Sequence, residues 1–259
     1  MGRFDGILIA TDLDGTLANK FEFNKKDLDA IEYFKSEGGL FTLATGRAYV
    51  YVRENIIPIV RPNAPVITLN GAVISDSPCE KILHRSYLEN YQERFLTVNQ
   101  FSEYINEIYV YYENCIGPEV IRNDKLHMGL EAIDINRRLH KIVFAFKDEE
   151  KAKEAILKAD KYSEFDGNVC LRSWPTGLEL LSSASTKDKA VLRVKEMTGS
   201  KTLVCAGDFE NDIPMLKCAD IGYAVGNAIP SVKQVADRIS PPQSESAIAY
   251  IINEINVLL

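Results

Sequence analysis

Apolar residues fall along this chain in short blocks that alternate between strand and helix periods. Residues 6–11 are a strand-length apolar run that ends in acidic and glycine residues, the pattern of a strand buried on both faces. Asn24 stands where a helix cap is expected, with Asp27 in the first turn. Leu28, Ile31 and Phe34 then recur at helical spacing until Gly38 and Gly39 stop the helix. Residues 40–44 read as a second strand, 48–57 as a helix, and 66–69 as a third strand after Pro58, Pro62 and Pro65 interrupt the chain. Strands alternating with helices predict right-handed crossovers and a mostly parallel sheet.

The rhythm changes after Asn70-Gly71. Residues 72–75 and 81–84 read as a hairpin through Asp76-Ser77-Pro78. Beyond them helices and strands mix without crossovers: strands at 109–113, 141–146, 169–173 and 178–181, and a helix at 148–160 that is acidic at its start. The crossover rhythm returns after a serine-rich linker at 182–185, with a helix over 187–197 stopped near Gly199. A strand (202–206), a helix (213–218) and a strand (221–225) follow, then a short helix near Ile229 and an amphipathic one starting near Ser244. The simplest organisation is a core split in sequence by an inserted α+β lobe.

Composition narrows this picture. The chain has 259 residues, of which 46% are apolar and 26% charged, enough for a sizeable core. A net charge of -7 argues against nucleic acid or an anionic membrane as the main partner, but not against a small phosphorylated metabolite. The longest apolar runs are strand-length, and the N-terminus lacks the pattern of a secretory signal. Five cysteines (Cys79, Cys115, Cys170, Cys205, Cys218) form no Cys-x-x-Cys pair and read as thiols in a reducing, cytoplasmic setting. Oligomeric state is not legible in these patterns.

The chemistry-bearing residues cluster at the C-terminal ends of the predicted parallel strands, the edge where open α/β sheets bind ligands. In Asp12-Leu13-Asp14-Gly15-Thr16, Gly15 breaks the strand and lets two carboxylates converge; a solvated acidic turn is the competing reading. Converging carboxylates repel, and hard oxygen ligands favour Mg²⁺. Thr45-Gly46-Arg47 could hold a phosphate oxygen or simply cap a helix. Lys187 opens the helix after the linker, and Lys189 competes with it for the same role. Gly207-Asp208-Phe209-Glu210-Asn211-Asp212 adds more carboxylates and an amide, more acid than helix capping needs.

These four segments, in this order, closely resemble the motifs of the haloacid dehalogenase superfamily. Gly207-Asp208-x-x-Asn211-Asp212-x-x-Met215-Leu216 and Asn70-Gly71-Ala72 are similar to its Cof-type branch. The resemblance spans the chain, with one departure: Asp188 follows Lys187 where the family usually has glycine. It implies an α/β fold, a Rossmann-like parallel-sheet core of residues 1–82 and 184–259 with an α+β cap of residues 83–183 inserted. It implies a phosphatase acting on a small phosphate monoester, a sugar phosphate by default for the branch. Asp12 would attack phosphorus, and Asp14 would carry the proton. Asp12, Asp14 (through its carbonyl), Asp208 and Asp212 would hold Mg²⁺; Thr45, Gly46, Lys187 and Asn211 would bind the phosphoryl group. Arg47 and Asn70 are candidates for substrate contact, and the cap would close over the site and choose the substrate. A phosphotransferase or phosphomutase would use the same aspartyl-phosphate, and the motifs do not separate the two. A phospho-receiver domain sets its acidic pair and its phosphorylated Asp on different strands, and a non-catalytic binding protein would not need every motif residue.

Overall fold

A computed structural model of the chain describes residues 2–20, 22–114, 117–162 and 167–258. Cys115 lies outside the described residues; the other four cysteines are free thiols. The chain divides into two compact units, Met1–His84 with Thr186–Leu259, and Arg85–Ser185.

The first unit begins with β1 (Ile7–Thr11), a hairpin of β2 (Ala18–Asn19) and β3 (Glu22–Phe23), α1 (Lys25–Ser36) and β4 (Leu40–Leu43). It continues through α2 (Tyr49–Asn55), α3 (Ile57–Val60), β5 (Val66–Thr68), β6 (Val73–Ser75) and β7 (Ile82–Arg85). Asn24 caps α1 by accepting the Lys26 N–H at 3.0 Å. Two expectations are corrected here. The single helix over 48–57 is two, and Pro58 opens α3 instead of breaking the chain, because a proline in the first turn needs no donor. The third apolar run does not join the main sheet as a full strand. It meets the residue just after β4 through one parallel bridge, Ala44 to Ile67, and heads a separate three-stranded sheet with β6 and β7.

The second unit contains α4 (Gln92–Asn99), β8 (Ile105–Tyr112), β9 (Glu119–Arg122), β10 (Leu139–Phe146), α5 (Glu149–Ala159), β11 (Asn168–Trp174) and β12 (Gly177–Ser182). Its strands form an antiparallel sheet in the order β11-β12-β10-β8-β9. Ala152, Ala155 and Ala159 of α5 and Phe95 and Val98 of α4 pack with Ile142 and Phe144 in one apolar cluster. Small alanines let the helix lie close to the strands.

The chain then returns to the first unit with α6 (Lys187–Thr198), β13 (Thr202–Gly207), α7 (Ile213–Cys218), β14 (Ile221–Ala224), α8 (Pro230–Val235), β15 (Arg238–Ile239) and α9 (Ala247–Leu258). The five-stranded sheet runs β15-β14-β13-β1-β4 and is parallel throughout. Its centre, β1, is buried along its whole length. Ile7 and Ile9 join Ile31, Phe34, Ile251 and Ile255 of α1 and α9. Leu8 and Ala10 join Val191, Val194 and Met215 of α6 and α7. Alternate residues of one strand thus feed two helical layers, which is why the run reads as continuously apolar. Truncating a fully buried anchor such as Phe34 to alanine costs roughly 3–5 kcal/mol. Among the described residues no helix is long and apolar enough to cross a membrane.

A buried polar contact ties α1 to α9. Asp27 of α1 is fully buried and accepts the Ala249 N–H at 2.8 Å, at the N-terminus of α9. Its Oδ2 has no hydrogen-bond partner, and burial raises the carboxyl to about 6. Between the ordinary value of 3.8 and about 6 the native protein therefore binds a proton that the unfolded chain releases. Stability from this group is present below that window and falls as pH rises through it. Asp27→Asn, which keeps the acceptor, should flatten that slope and be the more stable protein above about pH 6. Urea midpoints measured across the window check this; identical slopes for the two proteins would contradict it.

Candidate active site

The site forms where β1 and β13 end side by side. The Asp12 N–H still donates to the Ala206 carbonyl at 2.9 Å, so Asp12 is held by the sheet ladder itself. The chain then turns: the Gly15 and Ala18 backbones bond at 2.8 Å, and the Ala18 N–H reaches Leu13 O at 2.8 Å. Gly15 adopts φ +88°, and a Cβ there would lie 2.5 Å from Asp208 Oδ2. Glycine is needed at this point both for the turn and for the approach of a second carboxylate. Thr16 completes the turn by donating its hydroxyl to Asp208 Oδ1 at 2.8 Å.

The second acidic segment follows β13. Asp212 folds back so that its Oδ2 accepts the N–H groups of Asp208 and Phe209, at 2.9 and 3.1 Å. Its other oxygen accepts from Lys187 Nζ at 2.6 Å, and the same ammonium donates to Asp12 Oδ1 at 2.6 Å. Lys187 is the first residue of α6 and is buried, whereas Lys189 is exposed. Of the two lysines, the fold brings Lys187 to the acids. Asp12, Asp208 and Asp212 each present an oxygen, and these lie within 4.8 Å of one another.

The electrostatics follow from this crowding. Burial lifts Asp12 well above the usual carboxylate range; Lys187 pulls it down, and Asp212 and Asp208 push it up again. Burial and the neighbouring Asp212 likewise raise Asp208 to about 7, against the hydrogen bond from Thr16. Burial alone would depress the Lys187 ammonium, but its two carboxylates outweigh that and hold it above the ordinary value. One cation stands among three acids, Asp12 and Asp212 buried and Asp208 half-buried, so the cluster is short of positive charge. The donor set, three hard carboxylate oxygens on one point, fits a divalent cation.

The remaining predicted residues line the same edge. Thr45, fully buried after β4, is held by its N–H to Ile67 O at 3.0 Å. Its hydroxyl accepts the Arg47 N–H at 3.1 Å, which shapes the turn; the N-cap of α2 is Ala48, not Thr45. Arg47 grips Asp14 with two hydrogen bonds, at 2.8 and 2.7 Å, on the half-exposed side of the turn. Asp14 thus stands apart from the three clustered acids. Asn211 donates to Asn70 Oδ1 at 3.2 Å, and a Cβ on Gly46 would meet the Asn70 amide at 3.3 Å. Two arginines of the second unit are engaged locally: Arg172 with Glu149 at 3.2 Å and Pro175 O at 3.0 Å, Arg137 with Glu119 and the Tyr112 ring.

Sequence reading missed Asn227. It lies just past β14, donates to Gly15 O at 2.7 Å and accepts from the Gln243 N–H at 2.8 Å, bracing the acidic turn from outside. Its place beyond a parallel strand, after Gly226, was the available signal.

Comparison with known proteins gives the family. Residues 9–252 match the family model described as haloacid dehalogenase-like hydrolase. This chain belongs to that family. It is 28% identical to a 5-amino-6-(5-phospho-D-ribitylamino)uracil phosphatase of Bacillus subtilis, covering 95% of this chain and 94% of that one. It is 25% identical to phosphoglycolate phosphatase 2 of Saccharolobus solfataricus, covering 96% and 92%. The haloacid dehalogenase (HAD) subclass IIB sugar phosphatase BT4131 has the same fold, with a TM-score of 0.78 at 21% identity over 96% of this chain and 99% of that one. As a haloacid dehalogenase-like hydrolase the chain is an enzyme.

The buried ammonium is the counterion for two acids, so removing it should be felt in the fold. Lys187→Met is expected to lower the unfolding free energy by roughly 3–5 kcal/mol in chelator-treated protein. Urea unfolding measures it, and an unchanged midpoint would count against the pairing.

Proposed function

We propose that the enzyme is a Mg²⁺-dependent phosphatase that hydrolyses a small phosphate monoester, a sugar phosphate in particular, through an aspartyl-phosphate on Asp12. The observation that carries this reading is the Asp12–Lys187–Asp212 chain beside Asp208 at the C-terminal edge of a parallel sheet. It joins a buried carboxylate nucleophile to a lysine and to a cation-binding donor set. Small phosphorylated substrates in the names of relatives point the same way: a phosphoribitylaminouracil, phosphoglycolate and sugar phosphates.

In this reading an Asp12 carboxylate oxygen attacks phosphorus, and the bond from phosphorus to the leaving oxygen breaks. Asp14 gives its proton to that oxygen, so the alcohol leaves neutral. Asp14 then takes a proton from water, whose oxygen attacks the phosphoryl group, freeing inorganic phosphate and restoring Asp12. Arg47 holds the Asp14 carboxyl in place with two hydrogen bonds. Thr45, Gly46, Lys187 and Asn211 hold the phosphoryl oxygens. Asp12, Asp208, Asp212 and the Asp14 carbonyl would hold Mg²⁺, which when bound neutralises charge on the phosphoryl group. Core and cap are taken as residues 1–82 with 184–259 and 83–183, the cap selecting the substrate; Arg47 is a further contact. Free thiols at Cys79, Cys170, Cys205 and Cys218 suit a cytoplasmic enzyme.

Phosphate release from a set of phosphorylated metabolites tests the reading. Asp12→Asn should lower kcat by ~10³-fold or more while the protein stays folded. Chelation with EDTA should stop turnover, and Mg²⁺ should restore it. Undiminished turnover in Asp12→Asn sinks the mechanism, and activity indifferent to both reagents sinks the metal. Transfer of the phosphoryl group to a second sugar, with no free phosphate, would make the enzyme a phosphotransferase or mutase.

A further inference from the structure

Asn70 occupies an unusual place. Leu69, Asn70 and Gly71 take φ of +52°, +57° and +109° in succession, three left-handed residues directly after β5. A leucine at positive φ is strained, and such backbone persists only where its surroundings over-determine it. Here they do: the Leu69 N–H donates to Arg47 O at 3.0 Å, and the Asn70 N–H to Thr45 O at 2.9 Å. The turn is stitched to the 45–47 segment by its backbone. Its product is an asparagine amide with no solvent exposure, inside the first unit.

That amide faces two loops at once. Oδ1 accepts from Asn211 Nδ2 at 3.2 Å. On the other side both amide atoms crowd Gly46, where an added Cβ would stand 3.3 Å from Nδ2 and 3.4 Å from Oδ1. Asparagine suits the position for two reasons. It tolerates the left-handed region better than other non-glycine residues, and its amide can both donate and accept. A buried amide costs desolvation unless it is bonded, and a bonded one fixes the geometry of what it touches.

We infer that Asn70 is a positioning residue: it locks the Thr45–Gly46 turn and the Asn211 amide into one arrangement, so that the phosphoryl group meets both loops together. This rests on the reading above, in which Thr45, Gly46 and Asn211 bind that group. Asn70 acts on that group through these neighbours.

Asn70→Gly tests the amide alone, since glycine accepts the same backbone. It should lower kcat/KM by roughly 10–100-fold and raise the inhibition constant of inorganic phosphate, with a thermal midpoint close to wild type. In the Asn211→Ala background the same change should cost less than it does in the wild type, because the part of the amide's effect that passes through Asn211 is already gone. Gly46→Ala should impair the wild type more than it impairs Asn70→Gly, where the space for the methyl group is free. An Asn70→Gly enzyme within about twofold of wild type, or losses that multiply with Asn211→Ala, overturns the inference. Should Asn70→Gly fail to fold, Gly46→Ala and Asn211→Ala are combined with Asn70 in place. Losses that fall short of multiplying support the shared keystone, and losses that multiply overturn it. Asp12→Asn is measured alongside. Turnover there removes the underlying reading and the positioning role with it; an inactive Asp12→Asn beside an unimpaired Asn70→Gly removes the positioning role alone.

Discussion

The buried ammonium of Lys187 is shared between Asp12 and Asp212, and much of the first unit is arranged around that sharing. Three carboxylates drawn to one point would repel, and burial makes the repulsion stronger because no water screens it. One lysine cannot balance three acids. The fold therefore holds a local excess of negative charge in place with rigid parts: a ladder bond to Asp12, two backbone N–H groups on Asp212, and the Thr16 hydroxyl on Asp208. Asp12, Asp208 and Asp212 so held present oxygens within 4.8 Å of one another, a set that could hold a metal ion.

Glycines make the convergence possible. A side chain at Gly15 would strike Asp208, and one at Gly207 would strike Asp212 at 2.4 Å. The two acidic loops come together only because both positions are empty. Asp14 is treated differently. It points to the half-exposed side of its turn, and Arg47 holds it there with two hydrogen bonds. Two acids separated by one residue thus occupy different electrostatic settings, Asp12 crowded by other carboxylates and Asp14 paired with a guanidinium. Environment, more than residue type, separates groups of this kind into different tasks.

The hydrophobic pattern was a good guide where local and tertiary demands agreed. The run at 6–11 is the central strand, and Asn24 caps the first helix, because burial on both faces and capping leave marks in adjacent residues. Pattern failed where a distant partner decided. The run at 66–69 has the composition of a core strand, yet it pairs mainly with β6, since nothing in four apolar residues specifies which neighbour they bond. Short edge pieces such as β2, β3 and β15 carry too few residues to show a period at all.

The amino-acid sequence by itself determined the family, the α/β class, and the residue types that gather at the sheet edge. Each depends on short motifs or on periodicity, and both are local properties of a chain. Which lysine reaches the acids, that Arg47 holds Asp14, that Asn227 braces Gly15 and that Asn70 links Gly46 to Asn211 were decided by tertiary structure. These contacts join residues far apart in the chain, Asn227 and Gly15 by 212 positions, and only the packing of strands side by side brings them together. The run from Asp12 to Thr16 names an acidic turn; its partners, arriving from α6, β13 and β14, make it a site.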